Sequence, residues 1–194
     1  MRLLLPGLLA VFALIVTACA PRPELDSGGS IPSEAWLDFS QRFIDASGRV
    51  IDRGNGNISH SEGQGYAMLL AVAANDRAGF ERIWQWTQTH LPRSADGLFA
   101  WRWRPDAELA VDDPNNASDG DMLIAWALTR AAARWDVPEF REQAKPLAQA
   151  VRQKLLRASS HGQVLLPGAQ GFEHADGMVV NLSYWVFPAL DAMD

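Results

Sequence analysis

Two stretches of this 194-residue chain are apolar around nearly the whole circumference of a helix, and nothing else in the sequence restricts the fold as strongly. The first follows Ser61-Glu62-Gly63-Gln64-Gly65-Tyr66 and runs from Ala67 to Ala74; the second runs from Met122 to Leu128, inside a segment predicted to be helical from Asp121 to Trp135. A helix with no polar face must be enclosed by other elements. Each is followed by an amphipathic partner. After Asn75-Asp76, Phe80, Ile83, Trp84 and Thr87 share one side while Glu81, Arg82, Gln85 and Gln88 occupy the other; after Asp136-Val137-Pro138, a second such stretch reaches about Arg157. Buried helix, turn, amphipathic helix and long loop, repeated, is the pattern of an all-α helical toroid with inner helices wrapped by outer ones and loops gathered at one end.

The remaining helical signals fit this frame. Ser33 is a candidate N-cap for a helix carrying Trp36, Phe39 and Phe43 on one face, and a final apolar segment begins near Leu182, which brings the expected number of helices to about six. Between the helices, Phe99, Trp101 and Trp103 alternate with Ala100, Arg102 and Arg104, a period of two that places the aromatics on one face of an extended ribbon. A small hairpin packed on a helix explains that pattern as well as a sugar-stacking surface does. Gln163 to Leu166 and Gly177 to Val180 are expected to form another short hairpin.

Composition narrows the function. With 17 Lys plus Arg against 23 Asp plus Glu, the net charge of -6 has the wrong sign for holding a phosphate backbone, so no nucleic-acid partner is expected. Arg2 followed by an apolar run to Val16 and the small residues Thr17-Ala18-Cys19-Ala20 reads as a signal peptide over residues 1–20. The run is too short for a permanent membrane span. Ala18-x-Ala20 fits ordinary cleavage, whereas Val16-Thr17-Ala18-Cys19 fits a lipobox that would make Cys19 a lipid anchor. Export to the periplasm or beyond is expected in both cases, and Cys19, the only cysteine, leaves no internal disulfide. Residues 21–32, rich in Pro, Gly and Ser, form a linker, and the domain is placed at 33–194.

Carboxyl groups open both buried helices at the same end. Glu62 starts the first, where Gly63 and Gly65 leave room for a ligand or another backbone to approach. Such a group acts as a general acid if desolvation outweighs the helix dipole, and as a simple dipole partner if it does not. Asn115-Asn116-Ala117-Ser118-Asp119-Gly120-Asp121 opens the second helix. Asp119 and Asp121 lie about 200° apart on a helix and cannot both face one ligand. As an EF-hand loop this segment fails at two ligand positions. His60, His90, His161 and His174 have no metal-ligand spacing and read as surface polarity, and zinc has no support from one cysteine, so no metal or cofactor is expected. Ser61 and Ser118 lack a nucleophile-elbow context.

The segments 61–70 and Ala117-Ser118-Asp119-Gly120-Asp121-Met122-Leu123-Ile124-Ala125-Trp126-Ala127-Leu128, with Asn181-Leu182-Ser183-Tyr184-Trp185 downstream, resemble glycoside hydrolase family 8 in composition and order. The resemblance covers about Trp36 to Asp194. It implies an (α/α)6 barrel, present here only as its N-terminal half, with short β-hairpins in the loops. It also implies endo-acting, inverting hydrolysis of β-1,4-glucan in the cellulose-synthesis apparatus of bacteria, with Glu62 as proton donor, Asp119 as the signature carboxylate that binds and distorts the sugar, and the water-activating base beyond Asp194. The family's Asn-Pro-Ser-Tyr is here Asn181-Leu182-Ser183-Tyr184. Substrate contacts are expected from Tyr66, Trp101, Trp103, Asp121 and Tyr184. Two other readings remain open on sequence grounds: a noncatalytic glycan-binding remnant, and a polysaccharide lyase on the same type of toroid, which would want an Arg or Tyr where Glu62 stands.

Overall fold

A computed structural model describes residues 30–193; the expected signal peptide, Cys19, most of the linker and Asp194 lie outside them. The element order is α1 (Ser33–Phe43), β1 (Ser59–His60), α2 (Ser61–Ala73), α3 (Arg77–His90), β2 (Arg102–Trp103), α4 (Ser118–Trp135), α5 (Pro138–Leu155), β3 (Leu156–Ser159), β4 (Gly162–Leu165), β5 (Glu173–His174), β6 (Gly177–Met178), a 3-10 turn at Leu182–Tyr184 and α6 (Phe187–Asp191). Six α-helices among the described residues match the number read from the sequence.

α2 and α4 are the inner pair, and their all-round apolar character is explained by what surrounds them. Ala67, Met68, Ala71 and Val72 of α2 and Met122, Ile124, Ala127 and Leu128 of α4 are wholly buried. The two axes approach closely because glycine stands at both crossing points: a Cβ on Gly65 would lie 2.6 Å from Cβ of Leu123, and one on Gly120 would lie 2.1 Å from Oγ of Ser61. The space at Gly65 is therefore taken by a helix, not by a ligand. α3 covers α2, and α5 covers α4. The outer helices also meet each other: Phe80 of α3 packs edge-on against Phe140 of α5 at a centroid distance of 5.1 Å and against Trp135 at the end of α4 at 5.2 Å, and Trp84 Nε1 of α3 donates to Gln143 of α5 at 2.8 Å.

The turns follow from local chemistry. Asn75, at φ 57°, ends α2 in the left-handed region that Asn tolerates, and Asp76 then caps α3 by accepting from the Gly79 N–H at 2.8 Å. The other oxygen of Asp76 accepts from Trp36 Nε1 at 3.0 Å, which fastens α1 to the same corner. Asp136, at φ 53°, repeats the device between α4 and α5, where Pro138 suits the first helical turn.

Three local expectations need correction. Ser33 is the first helical residue of α1 rather than its cap; Pro32 occupies the cap position and offers no side-chain hydrogen bond. The segments at 163–166 and 177–180 do not pair with one another. Each closes a hairpin with the residues just before it, β3 with β4 and β5 with β6, because two tight local turns close shorter loops than one long connection. β2 in turn pairs with β1 across four tens of residues, Ser59 opposite Trp103 and His60 opposite Arg102, so it is a long-range ribbon and not a hairpin.

Candidate active site

The starts of α2 and α4 lie side by side at one end of the inner layer: a Cβ on Gly120 would stand 2.9 Å from the backbone nitrogen of Glu62. Glu62 and Asp119 each sit in the first turn of their helix, so helix packing alone brings these two carboxyl groups into one neighbourhood. Asp119 is 4% exposed, and burial, with the Glu62 charge as the second cause, pushes its carboxyl up to about 6 against the pull of the Gly120 and Asp119 backbone N–H groups. Tyr66, one turn beyond Glu62 and 48% exposed, has its phenol raised by burial and then by the charges of Glu62 and Asp119. Tyr184, from the 3-10 turn more than sixty positions along the chain, is raised by burial, Asp119 and Glu62 in that order. Glu62, Tyr66, Asp119 and Tyr184 thus share one electrostatic neighbourhood, with two phenols that stay protonated as donors.

What fixes Glu62 was only partly legible. The start of α2 is capped by His60, whose Nδ1 accepts from the Gly63 N–H at 3.0 Å while Nε2 stands 3.5 Å from Asp52, so His60 is not the surface residue expected. The Ser61 N–H donates to the Trp101 carbonyl at 3.0 Å, which ties this start to β2. Gln64, wholly buried, bridges three segments: its Oε1 accepts from the Val50 N–H at 2.6 Å, and its Nε2 donates to Thr87 Oγ1 at 2.9 Å and to the Ile83 carbonyl at 3.3 Å. His90 stacks on Trp86 at 4.5 Å, whereas His161 and His174 are exposed as expected. The hydroxyls of Ser61 and Ser118 are buried without a hydrogen-bond partner, so neither meets a base that would make it a nucleophile. Among the described residues no three His, Cys, Asp or Glu side chains group as metal ligands.

Two of the expected sugar contacts are engaged by other groups of the protein. Asp121 is 0% exposed, with one oxygen accepting from the Phe99 N–H and the other from Asn116 Nδ2, both at 2.8 Å. Burial pushes its carboxyl up to about 7, but it faces the interior on the side of α4 away from Asp119, as a two-residue separation on a helix demands. Trp103 is engaged by packing: Arg49 lies over its ring at 4.5 Å, and Trp86 and His90 meet it edge-on at 5.7 and 6.1 Å. Phe99 likewise packs on Trp84 at 5.8 Å. Trp101 differs from both. The backbone bends there, the half-buried indole donates to Asp113 Oδ2 at 2.8 Å, and the Arg102 guanidinium lies over the ring at 4.4 Å, so two of the three alternating aromatics pack on α3 and the third is held by polar groups.

The sequence model of glycosyl hydrolases family 8 matches residues 7–193. The chain is 44% identical over 155 residues to an endoglucanase of Cellulomonas uda, covering 80% of this chain and 43% of that protein. Among solved structures, endoglucanase Cel10 of Klebsiella pneumoniae superposes with a TM-score of 0.81 at 45% identity, over 82% of this chain and 51% of that one. The endo-β-1,4-glucanase CMCax of Acetobacter xylinum superposes with a TM-score of 0.80 at 43% identity, over 84% and 51%. The chain therefore spans about half the length of the relatives it matches, and its helices form about half of an (α/α)6 barrel. On the sequence match over residues 7–193 and the superposition of four-fifths of the chain, this chain belongs to family 8 of the glycosyl hydrolases.

Proposed function

We propose that this chain supplies the acid side of an endo-acting, inverting β-1,4-glucanase site, with Glu62 as proton donor to the leaving glycosidic oxygen and Asp119 as the carboxylate that binds the sugar at the cleavage point. The observation that carries this reading is the packing of α2 against α4, which sets the two carboxyl groups at one end of the inner layer beside two phenol donors. An inverting enzyme holds its acid and base roughly 6.5–9.5 Å apart so that a water fits between the base and the anomeric carbon. In this proposal the base comes from beyond Asp194. In the same proposal Trp101, whose backbone carbonyl accepts from the Ser61 N–H beside Glu62, supplies an aromatic edge for a sugar ring. Relatives at 44 and 43% identity are named as endoglucanases, which supports a β-glucan substrate for this chain too.

Glu62→Gln keeps size and helix geometry but removes the transferable proton. Reducing-sugar release from soluble cellulose by the protein that carries this chain is expected to fall by about 10²–10⁴-fold with oligosaccharide binding retained. Retained hydrolysis with a lowered melting temperature would leave Glu62 as a helix-dipole residue. Because each relative is matched over about half its length, a second reading applies to these 194 residues alone: glycan binding without turnover. It is checked by titrating the chain with cello-oligosaccharides and measuring release in parallel.

The reading extends to location. Export with removal of residues 1–20 is tested by mass spectrometry of the mature N-terminus, lipidation of Cys19 by palmitate labelling, and service to a cellulose synthase apparatus by the effect of deletion on cellulose output.

A further inference from the structure

The Asn115-Asn116 pair ahead of Asp119 has no part in the proposed chemistry, yet it is among the most heavily bonded segments of the molecule. Asn116 is 3% exposed and uses both ends of its amide: Oδ1 accepts from the Ala169 N–H at 2.6 Å, and Nδ2 donates to Asp121 Oδ2 at 2.8 Å. Asp121 passes the connection on by accepting from the Phe99 N–H. The Asn115 carbonyl accepts from the Trp101 N–H at 2.9 Å, and its N–H donates to Asp113, which also accepts from the Trp101 indole. On the other flank the Ser118 N–H donates to the Pro167 carbonyl at 2.9 Å, and Asn115 Nδ2 donates to the Gln170 carbonyl at 2.9 Å. There is no room for slack: a Cβ on Gly168 would lie 2.6 Å from the Asn116 carbonyl oxygen.

One buried amide, with Asp121, therefore joins two segments far apart in sequence, at Phe99 and at Ala169, to the 115–121 turn that presents Asp119, and the Asn115 and Ser118 bonds reinforce both joints. We propose that Asn116, acting through Asp121, is a positioning residue of the site, which holds the Trp101 segment and the 167–170 loop in fixed register with Asp119. It touches no substrate itself. A buried amide suits this task because it offers a donor and an acceptor at once, and each partner here has only the complementary function to give. A hydrophobic residue of similar size would strand the Ala169 N–H and Oδ2 of Asp121. The inference rests on the glucanase reading for its substrate, while the register it describes can be measured without turnover.

The test compares Asn116→Ala, Asn116→Asp and Asp113→Ala with wild type in the protein that carries this chain. In Asn116→Ala, kcat/KM on soluble cellulose is expected to fall by about 10²-fold, mostly through KM, since the groups that flank the sugar shift while Glu62 and Asp119 remain. The amides of Phe99 and Ala169 are expected to exchange hydrogen faster in this variant, while those in the middle of α2 keep their protection. Asn116→Asp faces the Asp121 carboxyl, near the charges of Arg93 and Asp96, and the pair keeps its contact only by sharing a proton. Its KM is expected to approach wild type near pH 5 and the alanine variant near pH 8, with thermal midpoints recorded at both pH values. Asp113→Ala frees the Trp101 indole and the Asn115 N–H while leaving both Asn116 amide bonds in place, and should raise KM by a smaller factor, which keeps the proposal testable if the Asn116 variants do not fold. Wild-type KM and wild-type exchange at Phe99 and Ala169 in Asn116→Ala would overturn it, as would losses that follow the unfolded fraction alone. Absence of both glucan binding and hydrolysis in wild type would remove the glucanase reading, and the exchange measurements would still decide whether Asn116 holds the register.

Discussion

Asp119 and Asp121 share one turn of α4, and both are buried carboxyl groups pushed above their ordinary range, to about 6 and about 7. Their surroundings are opposite. Asp119 has the charge of Glu62 as its main neighbour after burial, and its hydrogen bonds come only from backbone N–H groups at the start of its own helix. Asp121 spends both oxygens on donors outside its helix, the Phe99 N–H and the Asn116 amide. A raised carboxyl marks a reactive group only where its oxygens remain free for a ligand; the same perturbation on a fully bonded carboxyl marks a structural joint.

Substitution should separate the two. Asp119→Asn keeps the shape but loses the charged contact to the sugar, so glucan hydrolysis is expected to drop by about 10²-fold or more while the melting temperature at pH 7 holds or rises. Asp121→Ala should act first on stability, lowering it by about 1–3 kcal/mol, because the Phe99 N–H and the Asn116 amide lose their acceptor, and on hydrolysis only through KM, as Asn116→Ala does. Denaturant titration beside kinetics reads both. If Asp121→Ala left stability intact while abolishing turnover, the contrast would collapse.

pH offers a smaller and graded version of the contrast. Both carboxyls titrate above the ordinary value of 3.8 in the folded chain, so from about pH 4 to 7 the folded state holds more protons than the unfolded state. Their contribution to stability is full below that window and is lost as pH rises through about 6 and then about 7. Asp113, held below the usual range by the Asn115 N–H and the Trp101 indole, works in the opposite sense, losing its contribution as pH falls below about 4. Stability is expected to fall from about pH 4 to about pH 7, and Asp119→Asn should shrink the fall below about pH 6 and leave the part between about 6 and 7.

The inner helices were legible because an apolar circumference has one physical solution, and the placement of Glu62 and Asp119 followed from which ends of those helices carry carboxyl groups. Other features lay beyond sequence reading for identifiable reasons. Gln64 and Asn116 are buried polar residues whose partners are 14 and 53 positions away, so no local pattern announces them. His60 serves as a cap although histidine is not among the favoured cap types. β5 and β6 are two residues long, too short for any alternation to set their pairing. The equivalence of Phe99, Trp101 and Trp103 failed because α3 offers Trp84 and Trp86 as partners to two of them, and the chain bends at the third.

The claim on which the rest depends is that Glu62 and Asp119 are electrostatic neighbours across the α2–α4 contact. It is tested most directly by following the Asp119 carboxyl by NMR through a pH titration, in wild type and in Glu62→Gln. The account predicts a midpoint near 6 in wild type and a clearly lower one in the variant, where burial still raises the carboxyl but the neighbouring charge is gone. An unchanged midpoint in Glu62→Gln, or an ordinary carboxylate value in wild type, would contradict it.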